Sequence, residues 1–402
     1  MWCWLPGAGE PVVAGRLDTV GDVVSFTYGR SYLERPNAIP LYLPELPLAD
    51  RPMDPLVGDI AGCIADAGPD SWGQRVILNR LMGSEAEDTA ELGRLTYLLE
   101  SGSDRIGALD FQASATHYVA RTAAHATLEE LLRSADRVQA GVPLSPALDE
   151  ALLRGSSIGG ARPKALLSDG ERRLIAKFSS TTDTYSVVKG EFVSMELARR
   201  VGLNVATVTL TSTLGRDVLL VERFDRGASG TRRALVSALT MLGLGEAGFR
   251  YATYYGLADL IRARFTDPDA TLRELFSRIT FNILTGNNDD HPRNHAAFWD
   301  GQALTLTPAY DIAPQPRAGG ETAQLMAIGR DGWRMSQVAG CIERAHEYHL
   351  SKADAKELVE KQITIIETEW DDVCDRAGLT DVDRRFFWRR QFLNPYALER
   401  VL

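Results

Sequence analysis

The chain has 402 residues, 45% of them hydrophobic, which is enough for two or three domains with sizeable cores. Its net charge of -10 at pH 7 argues against broad nonspecific binding to nucleic acid, although it is compatible with a local basic patch. No signal-peptide pattern and no run of about 18 apolar residues occurs, so we expect a cytoplasmic protein without a transmembrane helix. The four cysteines lie far apart and are expected to be free thiols, most of them buried.

The N-terminal part shows strand and helix patterns separated by turn-forming residues. Periodicity predicts a strand and two helices, over 23–28, 72–81 and 126–136. The second helix begins with Thr127, and Glu130 three residues later completes a capping box. Glycines and prolines punctuate residues 137–155, so we expect a domain boundary in this stretch.

A glycine-containing loop then leads into a β-hairpin, which is followed by a helix that ends at Gly202. The predicted strands of the rest of the chain are 164–167, 174–178, 206–210, 218–221, 296–299 and 304–306. The predicted helices are 189–201, 272–284 and 352–376, the last capped by Ser351. From about residue 232 the pattern is mainly helical. We therefore divide the chain into the domains 1–140, 141–231 and 232–402.

The loop 287–294 has the spacing of a known catalytic motif, which is a weak signal by itself and gains specificity from the features that accompany it. Asp289 and Asn294 have four residues between them, as in the catalytic loop of protein kinases. In that loop the Asp receives the proton of the substrate hydroxyl and the Asn holds a metal ion. Asp311 follows a predicted strand, where kinases carry their other metal-binding residue. Lys177 lies on the second strand of the hairpin, so these features occur in kinase order along the chain.

This set of residues suits phosphoryl transfer from a nucleoside triphosphate. Lys177 would neutralise phosphate charge, while Asn294 and Asp311 would supply the oxygen ligands that Mg²⁺ prefers. Asp289 would align the attacking hydroxyl and accept its proton. The residues therefore predict an ATP-dependent kinase.

The stretch before the hairpin resembles the Gly-rich loop of the HipA toxin family. Residues 157–164 are similar to the family pattern Ser-x-x-Gly-Ala-x-x-Lys. Gly159 and Gly160 lack side chains, so backbone N–H groups there would approach phosphates closely. Arg162 and Pro163 depart from the Gln-Glu pair of the family, and the proline removes one backbone donor from the loop.

Other segments extend the resemblance over nearly the whole chain. Residues 289–294 look like the family's Asp-x-His-x-x-Asn catalytic loop, and residues 306–311 look like its Leu-x-Pro-x-Tyr-Asp metal motif. Residues 221–226 look like its hinge segment. N-terminal matches occur at 32–33, 36–48, 69–73 and 104–109. Each motif is weak by itself, but the combination of all of them is specific for the family.

The resemblance implies an α+β, kinase-like fold with an N-terminal β-rich lobe and an all-helical C-terminal lobe. It implies ATP and Mg²⁺ as cofactors, with Asp289 as the catalytic residue and with Asn294 and Asp311 as metal ligands. The ATP-binding residues that it implies are Gly159, Gly160, Ala161, Lys164, Lys177, Glu222, Phe224, His291, Asn294, Tyr310 and Asp311.

The resemblance also implies a role and partners. A toxin of this family transfers the γ-phosphate of ATP to Ser or Thr of a target, here expected to be an aminoacyl-tRNA synthetase, and so halts translation. The expected partner is a HipB-like helix-turn-helix antitoxin, with operator DNA reached only through that complex. Ser157, with Ser156 as the alternative, matches the family's autophosphorylated serine. A phosphate there would add a charge of about −2 to a loop that holds ATP and would silence the kinase.

The helix after the hairpin offers two carboxylates as the partner of Lys177. Of these, Glu191 is the favoured partner, and Glu196 is otherwise expected on a solvated face of the helix. The pairing would orient the lysine toward the phosphates of ATP.

Three rival interpretations fit parts of the sequence. His291 and His295 are four residues apart, as in a zinc hydrolase, but Pro292 lies between them and the accompanying Glu is missing. A catalytically inactive, kinase-like scaffold would act as a co-repressor by binding. Against such decay stands the joint presence of Lys177, Asp289, Asn294 and Asp311. Short arginine pairs would add phosphate contacts to operator DNA within a complex, without sequence specificity.

Overall fold

The computed structural model describes residues 1–82, 92–121, 126–140, 142, 162–180, 183–317 and 319–400. The chain divides into two compact units, each built from several segments. The first unit comprises Met1–Thr181, Thr211–Val236 and Phe298–Gln302. The second unit comprises Thr182–Leu210, Ser237–Ala297 and Ala303–Leu402.

Strands and helices alternate along the described chain, and the two longest helices lie in its second half. The strands are β1 Trp2–Cys3, β2 Val12–Val13, β3 Gly15–Val20, β4 Val23–Tyr28, β5 Leu109–Asp110, β6 Lys164–Asp169, β7 Arg172–Phe178, β8 Val208–Thr213, β9 Arg216–Glu222, β10 Ala234–Ser237, β11 Ala296–Trp299 and β12 Leu304–Leu306. The helices are α1 Arg30–Leu33, α2 Gly62–Ala65, α3 Ser71–Met82, α4 Arg94–Glu100, α5 Leu128–Gln139, α6 Val187–Val201, α7 Ala238–Met241, α8 Tyr254–Arg264, α9 Pro268–Thr285, α10 Val338–Glu343, α11 Lys352–Arg376 and α12 Asp381–Phe387. Short 3₁₀ helices occupy Ala228–Gly230, Glu246–Tyr251 and Ala345–Tyr348.

The strands of the first unit form small antiparallel arrays and one larger sheet. β2, β1 and β5 pair in that order, and β3 pairs with β4 as a hairpin. The larger sheet has the order β6-β7-β9-β8, with β7 antiparallel to both β6 and β9. Alternate residues of a strand face opposite sides of a sheet, so the register of this sheet decides which side chains share a face.

One face of the larger sheet is covered by α3 and α5. Small side chains at Ala165 and Ala176 leave room there for Trp72, which is fully buried. The core that results consists of Trp72, Val76, Leu131, Leu132, Ala135, Val138, Ala165, Ala176, Phe178 and Val218. Because Lys177 lies between Ala176 and Phe178, it belongs to the opposite face of the sheet.

The second unit is a helical assembly whose ends follow the local sequence. Gly202 ends α6 in the left-handed conformation with φ of 94°, which glycine adopts without steric strain. Asp267 caps α9 through a hydrogen bond from the Ala270 N–H, and Pro268 takes its first position. The longest helix, α11, is capped by Ser351, packs against α6 and α9, and buries one face along its length.

Most of the expected elements are present, and the predicted α+β class is confirmed. The strand over 23–28, the capping box of Thr127 and the four free, buried cysteines are as predicted. The C-terminal part is mainly helical and also holds short strands, at the predicted ranges 296–299 and 304–306. α9 begins before the predicted residue 272, because the Asp267-Pro268 start signal extends it by one turn. In the described part of the chain, no helix is long and apolar enough to span a membrane.

Candidate active site

The predicted site residues are divided between the two units. Lys164, Lys177, Glu222 and Phe224 belong to the first unit, and Glu191, Asp289, His291, Asn294, Tyr310 and Asp311 belong to the second. Ser156, Ser157, Gly159, Gly160 and Ala161 lie outside the described residues, so their expected roles stay predictions.

The two predicted phosphate-binding lysines are cross-strand neighbours. Lys164 at the start of β6 lies directly opposite Lys177 near the end of β7. Residues opposite each other in an antiparallel pair project to the same face, with their Cβ atoms about 5 Å apart. Lys164 is 3% exposed and Lys177 is half-buried. Two cations held so close together on one face make an environment that favours an anion such as a phosphate.

Pro163 and Lys164, where the predicted Gly-rich loop meets β6, are held by hydrogen bonds from the first unit. The indole N–H of Trp72 donates a hydrogen bond to the carbonyl of Lys164 at 3.1 Å. The carbonyl of Pro163 accepts from the N–H of Phe178 at 3.2 Å, which continues the β6–β7 pairing by one residue. Proline lacks a backbone N–H, but at the start of a strand this N–H is not needed for pairing with the neighbouring strand. Pro163, which departs from the family pattern, is therefore compatible with the hairpin.

The predicted hinge segment follows β9 and is held by a buried network of charges. Glu222 ends β9 opposite Leu174, and the ring of Phe224 meets Phe298 edge to face at 5.9 Å. The hinge also carries Arg223, Asp225 and Arg226. These three charged residues contact the N-terminal residues Asp104, Arg105 and Gly107. The segment is thus anchored on both sides of Phe224.

Asp225 is the centre of that network. Its carboxylate lies 2.8 Å from Nη2 of Arg223 and 2.9 Å from Nη1 of Arg226, and it accepts the N–H of Gly107 at 2.8 Å. Arg223 also reaches Asp104 at 3.0 Å. Burial alone would raise the pKa of Asp225, but the two guanidinium groups hold it below its usual value. The hinge motif and the N-terminal motif at 104–109 are therefore joined by one buried network of ion pairs and hydrogen bonds.

The predicted catalytic loop is not helical and is tied down by backbone hydrogen bonds. The N–H groups of Ala238 and Leu239 donate to the carbonyls of His295 at 2.7 Å and Pro292 at 3.3 Å. Within the loop the N–H of Asn294 donates to the carbonyl of His291 at 2.8 Å. α7, which contributes Ala238 and Leu239, thus forms a platform for the loop.

Asp289 is the member of the loop that faces solvent. Its side chain is exposed, whereas Asp290, the next residue, is 3% exposed. Partial loss of hydration raises the pKa of Asp289 above its usual value, and the charge of His291 opposes that rise. The carboxylates of Asp311 and Asp290 add to it. An accessible carboxylate with a raised pKa is suited to accept a proton.

Asn294 and Asp311 come from segments that are joined by Tyr310. The hydroxyl of Tyr310 donates to the carbonyl of Arg293 at 2.7 Å, directly before Asn294. Asp311 has φ of 60°, a left-handed conformation that is uncommon for residues other than glycine and is often found at functional sites. The Tyr310 contact therefore links the two predicted metal-binding segments.

The donor set fits Mg²⁺. Asn294 and Asp311 offer an amide and a carboxylate oxygen, and the repulsion between Asp289 and Asp311 would be relieved by a cation. Within the described residues, no cluster of three or more His, Cys, Asp or Glu side chains is placed to hold a metal ion. Magnesium needs no such cage, because one or two protein oxygens, phosphates and water complete its shell.

The two histidines of the rival zinc interpretation have separate partners. His291 packs edge to face against Phe249 at 5.3 Å, and His295 lies 2.7 Å from Asp290. Neither histidine is on a helix, so the i, i+4 geometry of a zinc-binding helix is not present.

The expectation that Glu196 lies on a solvated face is wrong. Its side chain is 6% exposed and pairs with Arg199 at 2.7 Å and with Arg376 of α11. The packing of α11 against α6 buries it, and the three arginines Arg199, Arg200 and Arg376 satisfy its charge. Glu191 is also buried on α6, and its predicted pairing with Lys177 stays a prediction.

One buried cluster near the loop was not predicted from the sequence. In it, Asp290 contacts Tyr254 and His295. The only signal was the doubled aspartate at 289–290, since two adjacent residues of an extended segment point to opposite sides. Tyr254 lies 36 residues earlier in the chain, at the start of α8, and no local pattern connects it to the loop.

Comparisons with known proteins show to which family the chain belongs. A model described as the HipA-like C-terminal domain matches residues 156–370, and one described as the HipA N-terminal domain matches residues 10–112. Y4mE of Sinorhizobium fredii, whose name describes a kinase, is 27% identical over 358 residues, which cover 79% of this chain and 80% of Y4mE. The serine/threonine-protein kinase toxin HipA of Shewanella oneidensis is 29% identical over 184 residues, which cover 39% of this chain and 42% of that protein.

A solved structure extends the comparison to the fold. The complex of Shewanella oneidensis HipA with HipB and operator DNA contains a chain that matches with a TM-score of 0.73 and 20% identity. The match covers all of this chain and 96% of the solved one, so the two share a fold. The domain match over 156–370 spans more than half of the 402 residues. The chain therefore belongs to the HipA family.

Proposed function

We propose that this chain is a toxin protein kinase that transfers the γ-phosphate of ATP to a serine or threonine of a target protein. The observation that carries the proposal is the catalytic loop. An accessible carboxylate, Asp289, occurs there with the buried amide of Asn294. Asp311, in a left-handed conformation, follows Tyr310, which contacts this loop, and together these are the residue types that phosphoryl transfer requires. The kinase names of two relatives support it.

Each residue has a defined task in the proposed reaction. Asp289 orients the substrate hydroxyl and accepts its proton. Asn294 and Asp311 would hold Mg²⁺, which would supply positive charge to neutralise the phosphates. Lys164 and Lys177 attract the phosphates through their shared face. The remaining proposed ATP contacts are Gly159, Gly160, Ala161, Glu222, Phe224, His291 and Tyr310.

Autophosphorylation of Ser157, or of Ser156, would regulate the kinase. A phosphate in the Gly-rich loop would repel the phosphates of ATP and would also be attracted by the lysine pair at the loop's root. Mass spectrometry after incubation with ATP tests this. A phosphate on either serine supports the proposal, and its absence from both in an active enzyme contradicts it.

The proposed regulatory partner is a HipB-like helix-turn-helix antitoxin, which would bring operator DNA to the complex. The solved assembly of the Shewanella oneidensis relative, which contains HipA, HipB and operator DNA, supports this partner. The net charge of -10 fits a chain that does not bind DNA by itself. In a gel-shift experiment, the chain alone should leave operator DNA unshifted. When the chain is added to antitoxin-bound DNA, the band should move more slowly than with the antitoxin alone.

The proposed target is an aminoacyl-tRNA synthetase, whose phosphorylation would stop translation. Phosphoproteomics of bacteria that express the wild type or Asp289→Asn tests both target and activity. A synthetase phosphopeptide found only with the wild type supports the proposal. Phosphopeptides confined to other proteins overturn the target and leave the kinase standing, and identical phosphoproteomes favour an inactive scaffold.

A further inference from the structure

A buried cluster of three polar side chains lies behind the catalytic loop. The carboxylate of Asp290 accepts a hydrogen bond from the hydroxyl of Tyr254, and the same oxygen, Oδ2, lies 2.7 Å from Nε2 of His295. The rings of Tyr254 and His295 meet edge to face, with centroids 5.8 Å apart and planes at 90°. All three residues are at most 3% exposed.

The burial of this cluster means that the charge of Asp290 must be compensated by its neighbours. A buried carboxylate costs several kcal/mol of desolvation unless charged or hydrogen-bonding groups compensate it. Tyr254 and His295 provide that compensation for Asp290. The hydrogen bond to Asp290 is the only one that His295 makes through its side chain among the described residues, because its Nδ1 has no partner there.

The positions of the cluster along the chain connect it to the proposed reaction. Asp290 directly follows Asp289, and His295 directly follows Asn294. The Asp290–His295 contact therefore closes the loop at the two points that adjoin the proposed proton acceptor and the proposed metal ligand. Asp290 is buried while Asp289 is exposed, so the inward Asp290 accompanies an outward Asp289.

Tyr254 lies outside the catalytic loop and is itself held in place by backbone hydrogen bonds. It is the first residue of α8, which Thr253 caps through a hydrogen bond from the Gly256 N–H at 3.1 Å. The N–H of Tyr254 also donates to the carbonyl of Ala327 at 2.9 Å. Its hydroxyl is thus held by rigid elements and not by the loop that it contacts.

We propose that Tyr254 and His295 are positioning residues that clamp Asp290 and thereby hold Asp289 and Asn294 in the geometry for phosphoryl transfer. The inference rests on the proposed kinase function, which gives Asp289 and Asn294 their tasks. A displacement of about 1 Å in a catalytic group can lower a rate by about 10²-fold, so the clamp acts on the turnover number kcat. Because Asn294 is also a proposed metal ligand and ATP contact, loosening of the clamp raises KM for ATP as well, but by less than it lowers kcat, since Lys164 and Lys177 lie outside the loop.

Tyr254→Phe tests the clamp, and Tyr348→Phe is its matched control. Tyr348 is also fully buried in the second unit, and its hydroxyl donates to the carbonyl of Ile328 at 2.7 Å, away from the loop. Both variants lose one buried hydroxyl hydrogen bond. We expect Tyr254→Phe to lower kcat by roughly tenfold or more, with a smaller rise in KM for ATP. Tyr348→Phe should keep the wild-type kcat at a similar loss of thermal stability.

Hydrogen exchange of the peptide that covers 287–295 tests the clamp without reference to activity. Faster exchange in Tyr254→Phe than in the wild type and Tyr348→Phe is the expected result. If the wild type transfers no phosphate but this difference appears, the kinase function fails and the loop clamp stands. If exchange in the loop is the same in all three proteins, or if kcat falls equally in both variants, the clamp is overturned while the kinase function remains.

Discussion

Lys164 and Lys177 lie directly opposite each other on β6 and β7, on the face of the sheet away from Trp72 and the helices that cover it. Like charges at directly opposed positions of an antiparallel pair are destabilising, so a negative group on this face is favourable. A phosphate bound there would be such a group.

Replacement of Lys177 by Met should weaken the binding of ATP. The change keeps the length of the side chain and removes one charge-assisted contact, worth about 1.5–3 kcal/mol, or roughly 10- to 100-fold in Kd. Titration with a fluorescent ATP analogue and Mg²⁺ measures it. Arg172→Met is the control, because this exposed residue of the same strand pairs with Asp169 at the far end of the hairpin. Equal affinities of the two variants would contradict the proposed contact.

Replacement of Asn294 by Ala should raise the Mg²⁺ concentration needed for half-maximal activity. Even the loss of an outer partner of a metal site costs about 10–100-fold in metal affinity, and a direct ligand should cost at least as much. The control is Asn394→Ala, a similarly buried asparagine of the second unit that donates to the carbonyl of Arg390 at 2.7 Å. A Mg²⁺ dependence of Asn294→Ala that matches the control would remove Asn294 from the metal site.

Replacement of Asp225 by Asn should strongly destabilise the first unit. The variant leaves the buried guanidinium groups of Arg223 and Arg226 short of a negative charge, and breaking a buried ion pair costs about 3–5 kcal/mol. Urea denaturation measures the loss. Asp18→Asn, which breaks an exposed pair with Arg16, should cost at most about 1 kcal/mol. Similar losses in the two variants would show that the Asp225 network contributes little.

Replacement of Glu196 by Gln should reduce stability in a pH-dependent way. Burial would raise the pKa of Glu196, but hydrogen bonds and charges from Arg199 and Arg376 lower it to about 2. Because the folded pKa lies below that of the unfolded chain, the carboxylate stabilises the fold above about pH 4.5 and loses this effect as the pH falls toward 2. The difference in Tm between wild type and variant should thus be large at pH 7 and smaller at pH 3.

The matched control for Glu196 is Glu360→Gln on α11. Glu360 is 56% exposed and pairs with Lys356 at 3.6 Å, so its loss should change Tm little at either pH. A Tm difference for Glu196→Gln that stays constant between pH 7 and pH 3 would contradict the assignment of the low pKa.

Local signals allowed the hairpin, the capped helices and the catalytic motifs to be predicted from sequence. The capping box of Thr127 and the glycine stop at Gly202 depend only on residues within a turn, so they are readable without the fold. Asp104 and Arg223 are 119 residues apart, and nothing local indicates that they meet. The division into 1–140, 141–231 and 232–402 stays a prediction.

Burial was the property that the sequence could least reveal. Arg199 and Arg200 follow Glu196 at the spacing of exposed helical ion pairs, so a solvated face was the natural expectation. The packing of α11, more than 150 residues later, decides the burial of Glu196 instead. In the same way, the doubled aspartate at 289–290 gave no indication of which carboxylate faces solvent.

Transfer of phosphate from γ-labelled ATP tests the central claim most directly. The purified chain, with Mg²⁺ and a bacterial cell extract as acceptor, is compared with Asp289→Asn and with Asp300→Asn, a control at an exposed aspartate of the first unit. We expect the wild type and Asp300→Asn to label protein, and Asp289→Asn to lose at least about 10²-fold of the rate, as expected for loss of a general base. Labelling by Asp289→Asn at the wild-type rate, or no labelling by the wild type, would contradict the kinase account.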